Sequence, residues 1–204
     1  MAPKMGMNAK LYRQTGTSWA VPTFTEISTI QNINLGLEKT KVDGSTRASR
    51  WKWSKGALKD ATLEITLPKD DGDAFYRALL RSLLRNTAVE LLVMDGIITT
   101  AGSEGLRAEW ECFGAPRTEE IEGIQMVTFS LSITYSSNKP QWYVCATKST
   151  DSGSAIVDGT DVYWDATEEE VTTTASTNEY LGESVGASLD ATAYMYYDAD
   201  HDTP

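Results

Sequence analysis

The sequence predicts a mainly β protein of the α+β class, in which strands precede and follow one amphipathic helix and a smaller β domain follows. β-branched and aromatic residues alternate with polar residues over several short segments, which is typical of half-buried strands. Only the segment 75–85 has apolar residues at helical spacing,. The charge changes abruptly near residue 140, as expected at a boundary between domains. A chain of 204 residues is long enough for one large domain or two unequal ones,.

The clearest strand prediction covers residues 127–135. Its apolar positions alternate with Ser and Thr and are Val127, Phe129, Leu131, Ile133 and Tyr135. Similar alternation predicts strands over 62–67 and over 108–113, and residues 27–37 suggest a strand pair or one bent strand. The more continuous apolar run 88–94 ends at a turn dipeptide, so we expect it to be central in its sheet.

One helix is predicted between two charged ends. The apolar residues at helical spacing are Phe75, Leu79, Leu80, Leu83 and Leu84, and a stripe of Arg77, Arg81 and Arg85 lies on the other side,. Asp70, Asp71 and Asp73 precede the segment and suit a helix start, since their carboxylates can cap the first turn. Arg85 and Asn86 suit its end.

Residues 39–59 are basic, contain two tryptophans and have no convincing apolar period. One interpretation is an extended β-hairpin arm that reaches a neighbouring subunit, with Trp51 and Trp53 as anchors. A second is single-stranded nucleic-acid binding through phosphate contacts and stacking, and a third is a plain solvated loop. We favour the arm. Its candidate contact residues are Arg47, Arg50, Trp51, Lys52, Trp53 and Lys55.

The charge distribution predicts two domains, 1–140 and 141–204. The first holds 17 of the 18 Lys and Arg residues and 16 of the 29 Asp and Glu residues, whereas the second holds one basic and 13 acidic residues. Five short strand candidates in the second domain predict a small β-barrel or sandwich. Its core would be aromatic, from Trp142, Tyr143, Tyr163, Trp164, Tyr194 and Tyr196. If those rings were exposed instead, they would suit stacking on carbohydrate.

Residues for catalysis or for holding a metal are scarce. The single histidine, His201, lies near the carboxyl end. A catalytic triad or a histidine metal site therefore has almost no histidine available. Cys112 and Cys145 are far apart and predicted to be small buried residues. Phosphate loops, dinucleotide fingerprints and nucleophile elbows are absent from the sequence,. We therefore expect no enzyme, cofactor or metal, and neither a signal peptide nor a membrane span.

A series of short motifs over residues 7–143 resembles the tail tube proteins of long-tailed, siphovirus-type bacteriophages. They are Met7-Asn-Ala-Lys-Leu-Tyr-Arg-Gln-Thr-Gly-Thr17, Val21-Pro-Thr-Phe24, Leu35-Gly-Leu-Glu-Lys39, Ser45-Thr-Arg-Ala-Ser49, Lys55-Gly-Ala-Leu-Lys-Asp60, the helix, Val93-Met-Asp-Gly96 and Gly102-Ser-Glu-Gly-Leu-Arg107. Three further segments resemble a small β-barrel of phage virion and decoration proteins. They are 159–166, 171–175 and 181–185.

This resemblance implies a β-sandwich or barrel with a flanking helix, and six copies that join their sheets into a ring around a continuous inner barrel. Stacked rings would form a tube for DNA, bridged by residues 39–59, with the acidic domain pointing outward. Implied partners are the chain itself and the tape measure, tail terminator and distal tail proteins, while viral DNA passes without specific binding. The implied location is the virion, and the bacterial host cytoplasm during assembly. Basic residues should avoid the lumen, because fixed cations slow a moving polyanion. The alternative function is a nucleic-acid-binding module that uses residues 39–59.

Overall fold

Thirteen strands and one helix are present in the residues that the computed structural model describes, which are 8–16, 19, 22–43, 54–118, 123–147, 161–165, 170–172, 179–185 and 193–198. In chain order they are β1 (Lys10–Gln14), β2 (Phe24–Glu26), β3 (Asn32–Asp43), β4 (Ser54–Pro68), α1 (Ala74–Arg85), β5 (Val89–Met94), β6 (Glu104–Gly114), β7 (Arg117–Thr118), β8 (Met126–Ile133), β9 (Gln141–Thr147), β10 (Asp161–Asp165), β11 (Glu170–Thr172), β12 (Glu179–Val185) and β13 (Ala193–Asp198). The mainly β prediction with one helix is confirmed.

The chain divides into two units. Unit 1 contains Met1–Ser28, Val89–Glu109 and Tyr135–Pro204, and unit 2 contains Thr29–Ala88 and Trp110–Thr134. The chain passes between the units four times, and one of these passages lies inside β6. The predicted boundary near residue 140 stays a prediction. β9 lies just after it and pairs with β6 on one side and with β13 on the other.

Unit 2 is built on an antiparallel sheet in which β4 lies between β3 and β8, and β8 also pairs with β7 and with the end of β6. The predicted alternation is confirmed in two neighbouring strands. Their buried residues lie opposite one another in register, as Leu63 with Leu131, Ile65 with Phe129 and Leu67 with Val127. The strand prediction 127–135 is wrong at its end. β8 stops at Ile133, and Tyr135 beyond it is fully exposed, so it has no core to face.

Helix α1 packs on the apolar face of this sheet. The rings of Tyr76 and Phe129 meet edge to face with centroids 5.7 Å apart, and the buried Ser82 hydroxyl accepts a hydrogen bond from the Cys112 amide at 3.0 Å. Leu84 was predicted on the apolar side, but it is 72% exposed. The reason is geometric: five residues at 3.6 per turn place Leu84 about 140° around the helix from the buried Leu79.

Both ends of α1 follow the sequence prediction. Asp73 is the N-cap, and its carboxylate accepts a hydrogen bond from the Phe75 amide at 2.7 Å, which satisfies one of the amides that the first turn leaves open. Asn86 closes the helix in the left-handed conformation, with φ of 52°, a conformation that Asn tolerates better than most residues. Arg85 lies in the last turn, where it suits the helix dipole,.

Unit 1 contains a sheet in the order β11-β10-β12-β13-β9-β6-β5-β1-β2. As predicted, β5 is central, since it lies between β6 and β1 and its residues are buried except for the partly buried Glu90. One core cluster consists of Tyr12, Leu92, Met94, Ile98 and Tyr143, with Phe24 packed against it. Tyr143 was expected in the core of a separate acidic domain. It packs instead on strands β1 and β5, because β9 pairs with β6.

The five strands predicted after residue 140 are all present, as β9 to β13. They run antiparallel in the order β11-β10-β12-β13-β9. Cα atoms of β11 come within 8 Å of those of β9, so this part of the sheet curls back on itself. Tyr163 and Tyr180 meet edge to face at 5.6 Å, which places two aromatic side chains on one face of the curl.

Candidate assembly surfaces

The sheet of unit 2 has a polar face opposite α1. In register across β3, β4 and β8 it presents Asn32 beside Thr66 and Thr128, and Asn34 beside Glu64 and Ser130. The polar face is completed by Thr62, Ser132 and, from β6, Glu111. These side chains bond to one another: the Thr66 and Thr128 hydroxyls are 2.9 Å apart, the Asn34 amide donates to Glu64 at 3.4 Å, and the Thr134 hydroxyl donates to Glu111 at 2.9 Å.

The charge of the polar face is one-sided. Its register positions Asn32, Asn34 and Gly36 and their partners on the neighbouring strands hold Asn, Gly, Ser, Thr and Glu, and no Lys or Arg among the described residues. Arg77, Arg81 and Arg85 lie on α1, which covers the opposite face. The arrangement produces a wettable surface that attracts no polyanion.

Strands β3 and β4 extend together into a hairpin, which we call the arm (residues 37–43 and 54–61). Their pairing continues to Val42 with Lys55 and Asp43 with Ser54, through one bulge between Lys39 and Lys41. All seven residues from Leu37 to Asp43 are exposed, so the described part of the chain covers neither side of β3 within the arm, whereas Ala61 at the base of the arm is buried. The predicted β-hairpin is confirmed for these paired residues, and its reach to a neighbouring subunit stays a prediction. The plain solvated loop is excluded for the paired residues.

Five of the six predicted contact residues of the arm lie outside the described residues: Arg47, Arg50, Trp51, Lys52 and Trp53. Lys55 lies in β4, and its backbone pairs with Val42. Their contacts with a neighbouring subunit remain predictions.

A buried arginine in unit 1 was not anticipated from the sequence. The Arg107 side chain is 1% exposed and forms an ion pair with Glu90, with Nε 2.9 Å from Oε1. Its Nη1 donates to the Trp19 carbonyl at 3.0 Å and to the Tyr143 hydroxyl at 2.6 Å. The guanidinium also lies 3.8 Å from the centroid of the Trp19 ring, a cation–π contact. Arg107 therefore ties Trp19 to strands β5, β6 and β9.

Glu90 is affected by the same burial. Removal from water raises the pKa of this carboxyl, and the hydrogen bond and charge of Arg107 lower it by less,.

One feature of the sequence could have indicated that Arg107 is buried: it is a charged residue between Leu106 and Ala108, both of which are buried. The predicted strand began at residue 108 and so left Arg107 out.

The described residues contain no group of three His, Cys, Asp or Glu side chains placed to hold a metal ion. Cys112 and Cys145 are buried, as predicted, and neither forms a disulfide; burial raises the pKa of Cys112. No helix in the same residues has the length and apolar character needed to cross a bilayer.

Comparisons with known proteins agree with this geometry. Residues 143–197 match the model of the phage cement protein family. A chain of the virion of the native gene transfer agent particle is similar in structure, with a TM-score of 0.50 and 13% identity over 66% of this chain and 96% of that chain. A chain of the SPP1 tail tube is similar with a TM-score of 0.52 and 14% identity over 64% of this chain and 76% of that chain. No curated protein matches the sequence. The predicted resemblance is thus confirmed at the level of fold.

Proposed function

We propose that this chain is a structural virion protein whose copies assemble into stacked rings, six to a ring, forming a tail tube through which DNA passes. Its fold resembles that of the SPP1 tail tube chain, and its carboxyl-terminal residues match a phage cement family. Partners would be other copies of the chain and the tape measure, tail terminator and distal tail proteins, in the virion and, during assembly, in the host cytoplasm. The chain would carry no catalytic activity.

The observation that carries this proposal is the polar face of unit 2. Polar side chains such as Glu64 and Thr62 make this face wettable, and no Lys or Arg of the described residues lies on it. Each phosphate neutralised by a fixed cation releases counterions and strengthens binding. A channel for moving DNA should therefore lack such cations, and the polar face meets that requirement. We assign it to the lumen.

The rival function is a nucleic-acid-binding module built on residues 39–59. The described part of the arm supports it through Lys39, Lys41 and Lys59, which are all exposed. The two functions differ in where binding arises: the rival needs the arm and its tryptophans, whereas the tube needs a face that does not bind.

Placing lysines on the polar face tests the assignment. We expect assembled wild-type particles to bind a short duplex DNA weakly, and the double variant Asn34→Lys/Thr62→Lys to bind it at least tenfold more tightly, since both positions are exposed on the polar face. The plot of the logarithm of the binding constant against the logarithm of the salt concentration should become steeper by up to about 0.9 for each added phosphate contact. Fluorescence anisotropy of labelled DNA between 50 and 200 mM salt, conditions under which such slopes are resolved, measures both quantities.

The matched control is Thr100→Lys, which adds a cation at an exposed loop position of unit 1. It should change DNA binding much less. Tight, strongly salt-dependent binding by the wild type that is lost in Trp51→Ala would replace the tube proposal with the rival function.

A further inference from the structure

The two faces of the arm carry opposite charge. Alternation along β3 places Lys39 and Lys41 on one face and Glu38 on the other,. The register then adds Lys59 directly opposite Lys39, and Asp60 directly opposite Glu38. We call Lys39, Lys41 and Lys59 the basic row, and Glu38 with Asp60 the acidic row. Towards the tip the segregation ends, because Asp43 follows Lys41 on the basic side and Lys55 holds the register position opposite Val42 on the acidic side.

Each row sets like charges against each other across the two strands. Directly opposed side chains have Cβ atoms about 5 Å apart, and like charges in that position destabilise a β ribbon. All five residues of the two rows are exposed, so the described part of the chain buries neither row. Leu37 on the basic side and Val42 on the acidic side are also about half exposed, at 55% and 49%. Each face thus offers an apolar side chain beside its charged row.

We propose that arms of neighbouring copies stack face to face, with the basic row of one arm on the acidic row of the next. The occupant of each face is a second copy of this chain, since its own arm supplies the opposite charge and an apolar side chain. The inference rests on the proposed function, and it identifies the contact through which the arms of neighbouring copies associate.

The geometry of such a contact suits a ring. Front and back of the arm are different surfaces, so the contact is heterologous: every copy uses its acidic face on one neighbour and its basic face on the other. Contacts of that kind close into rings or continue as helices. Opposed rows also offset the repulsion within each arm, because every Lys pair gains two carboxylates and every carboxylate pair gains ammonium groups.

Charge exchange tests the proposal in the full-length chain. Lys39→Glu/Lys59→Glu reverses the opposed pair of the basic row and leaves Lys41, so that both rows are acidic in net charge, and Glu38→Lys/Asp60→Lys makes both rows basic. The fourfold variant exchanges the charges of the two opposed pairs. Polymerisation is followed by light scattering and negative-stain electron microscopy at about 0.15 M salt, where charges are screened beyond about 8 Å. Circular dichroism and thermal melts establish that each variant is folded.

We expect each double variant alone to assemble at least tenfold more slowly than the wild type. An equimolar mixture of the two should recover to within about threefold of the wild-type rate, because acidic arms then alternate with basic arms. The fourfold variant should assemble by itself, since inverted faces still complement each other. Arg81→Glu/Arg85→Glu, a charge reversal on exposed residues of α1, is the matched control and should assemble as the wild type does.

Two results would overturn the proposal. Double variants that assemble at the wild-type rate would show that the rows make no contact, and a folded fourfold variant that fails to assemble would show that each row meets some other surface. In both cases the wild type still assembles, so the tube proposal stands. A wild-type chain that forms no rings or tubes at any concentration would contradict the proposed function. It would also contradict the arm contact, which rests on that function.

Discussion

Replacing Arg107 with alanine is expected to lower the free energy of unfolding by about 3–5 kcal/mol, because Glu90 would keep a buried charge without its partner. The substitution also removes the donors to the Trp19 carbonyl and to the Tyr143 hydroxyl, and the cation that lies on the Trp19 ring. Domains of this size are stabilised by about 5–15 kcal/mol in total. Chemical denaturation monitored by tryptophan fluorescence measures the loss.

The loss should depend on pH in a defined direction. Burial already raises the pKa of Glu90, and removing Arg107 raises it further, so the folded state binds the proton more tightly than the unfolded state. Stability is then lost as pH rises from the ordinary glutamate pKa through the raised folded value. The variant should therefore be less destabilised at pH 5 than at pH 8. Equal loss at both pH values would show that Glu90 does not carry the effect.

Two controls separate charge from packing. Arg81→Ala removes an exposed arginine from α1 and should change stability by less than about 0.5 kcal/mol. The double variant Arg107→Met/Glu90→Leu removes both charges and should be more stable than Arg107→Ala, because an apolar replacement of a buried pair leaves no orphaned ion.

Gly105→Ala is expected to have the next largest effect, a loss of about 3 kcal/mol or more. Gly105 lies in β6, where an added Cβ would overlap the Val93 carbonyl oxygen and approach the Met94 Cα to 2.8 Å. These obstacles belong mostly to the backbone of β5, which cannot rotate away, and overpacking in a filled core commonly costs about 1–3 kcal/mol even where side chains can adjust. A thermal melt with a matched denaturant titration measures the effect.

Gly114→Ala is the matched control, in the same strand. A Cβ there would meet only the Ser130 side chain, at 3.9 Å, and Gly114 has no positive φ. Its stability should stay within about 0.5 kcal/mol of the wild type. If both glycine variants were equally stable, β5 and β6 could not approach each other as closely at Gly105 as the structure shows.

Local signals were sufficient where a residue's role depends on its near neighbours. Helix α1 begins and ends where Asp73 and Asn86 predict, because capping is decided within a few residues,. The strands around Leu63 and Phe129 follow from alternation, because one face is buried and the other is not. The arm gave no such signal. Both of its faces are exposed over residues 37–43, so no apolar period exists to reveal paired strands.

Contacts between distant residues could not be deduced in this way. The charge change near residue 140 says nothing about the pairing of β9 with β6, which places Tyr143 beside Tyr12. Arg107 was missed for a related reason, since its partners Glu90, Trp19 and Tyr143 come from three separate segments. The spacing of apolar residues also gives no indication of a buried ion pair.

The measurement that tests the central claim most directly is a cryo-electron microscopy reconstruction of the purified chain, assembled at increasing concentrations. We predict hollow tubes of stacked rings whose channel is lined by the polar face, including Asn34, Thr62 and Ser130. A channel lined by rings of arginine or lysine, or by the helix-covered face of unit 2, would contradict the account.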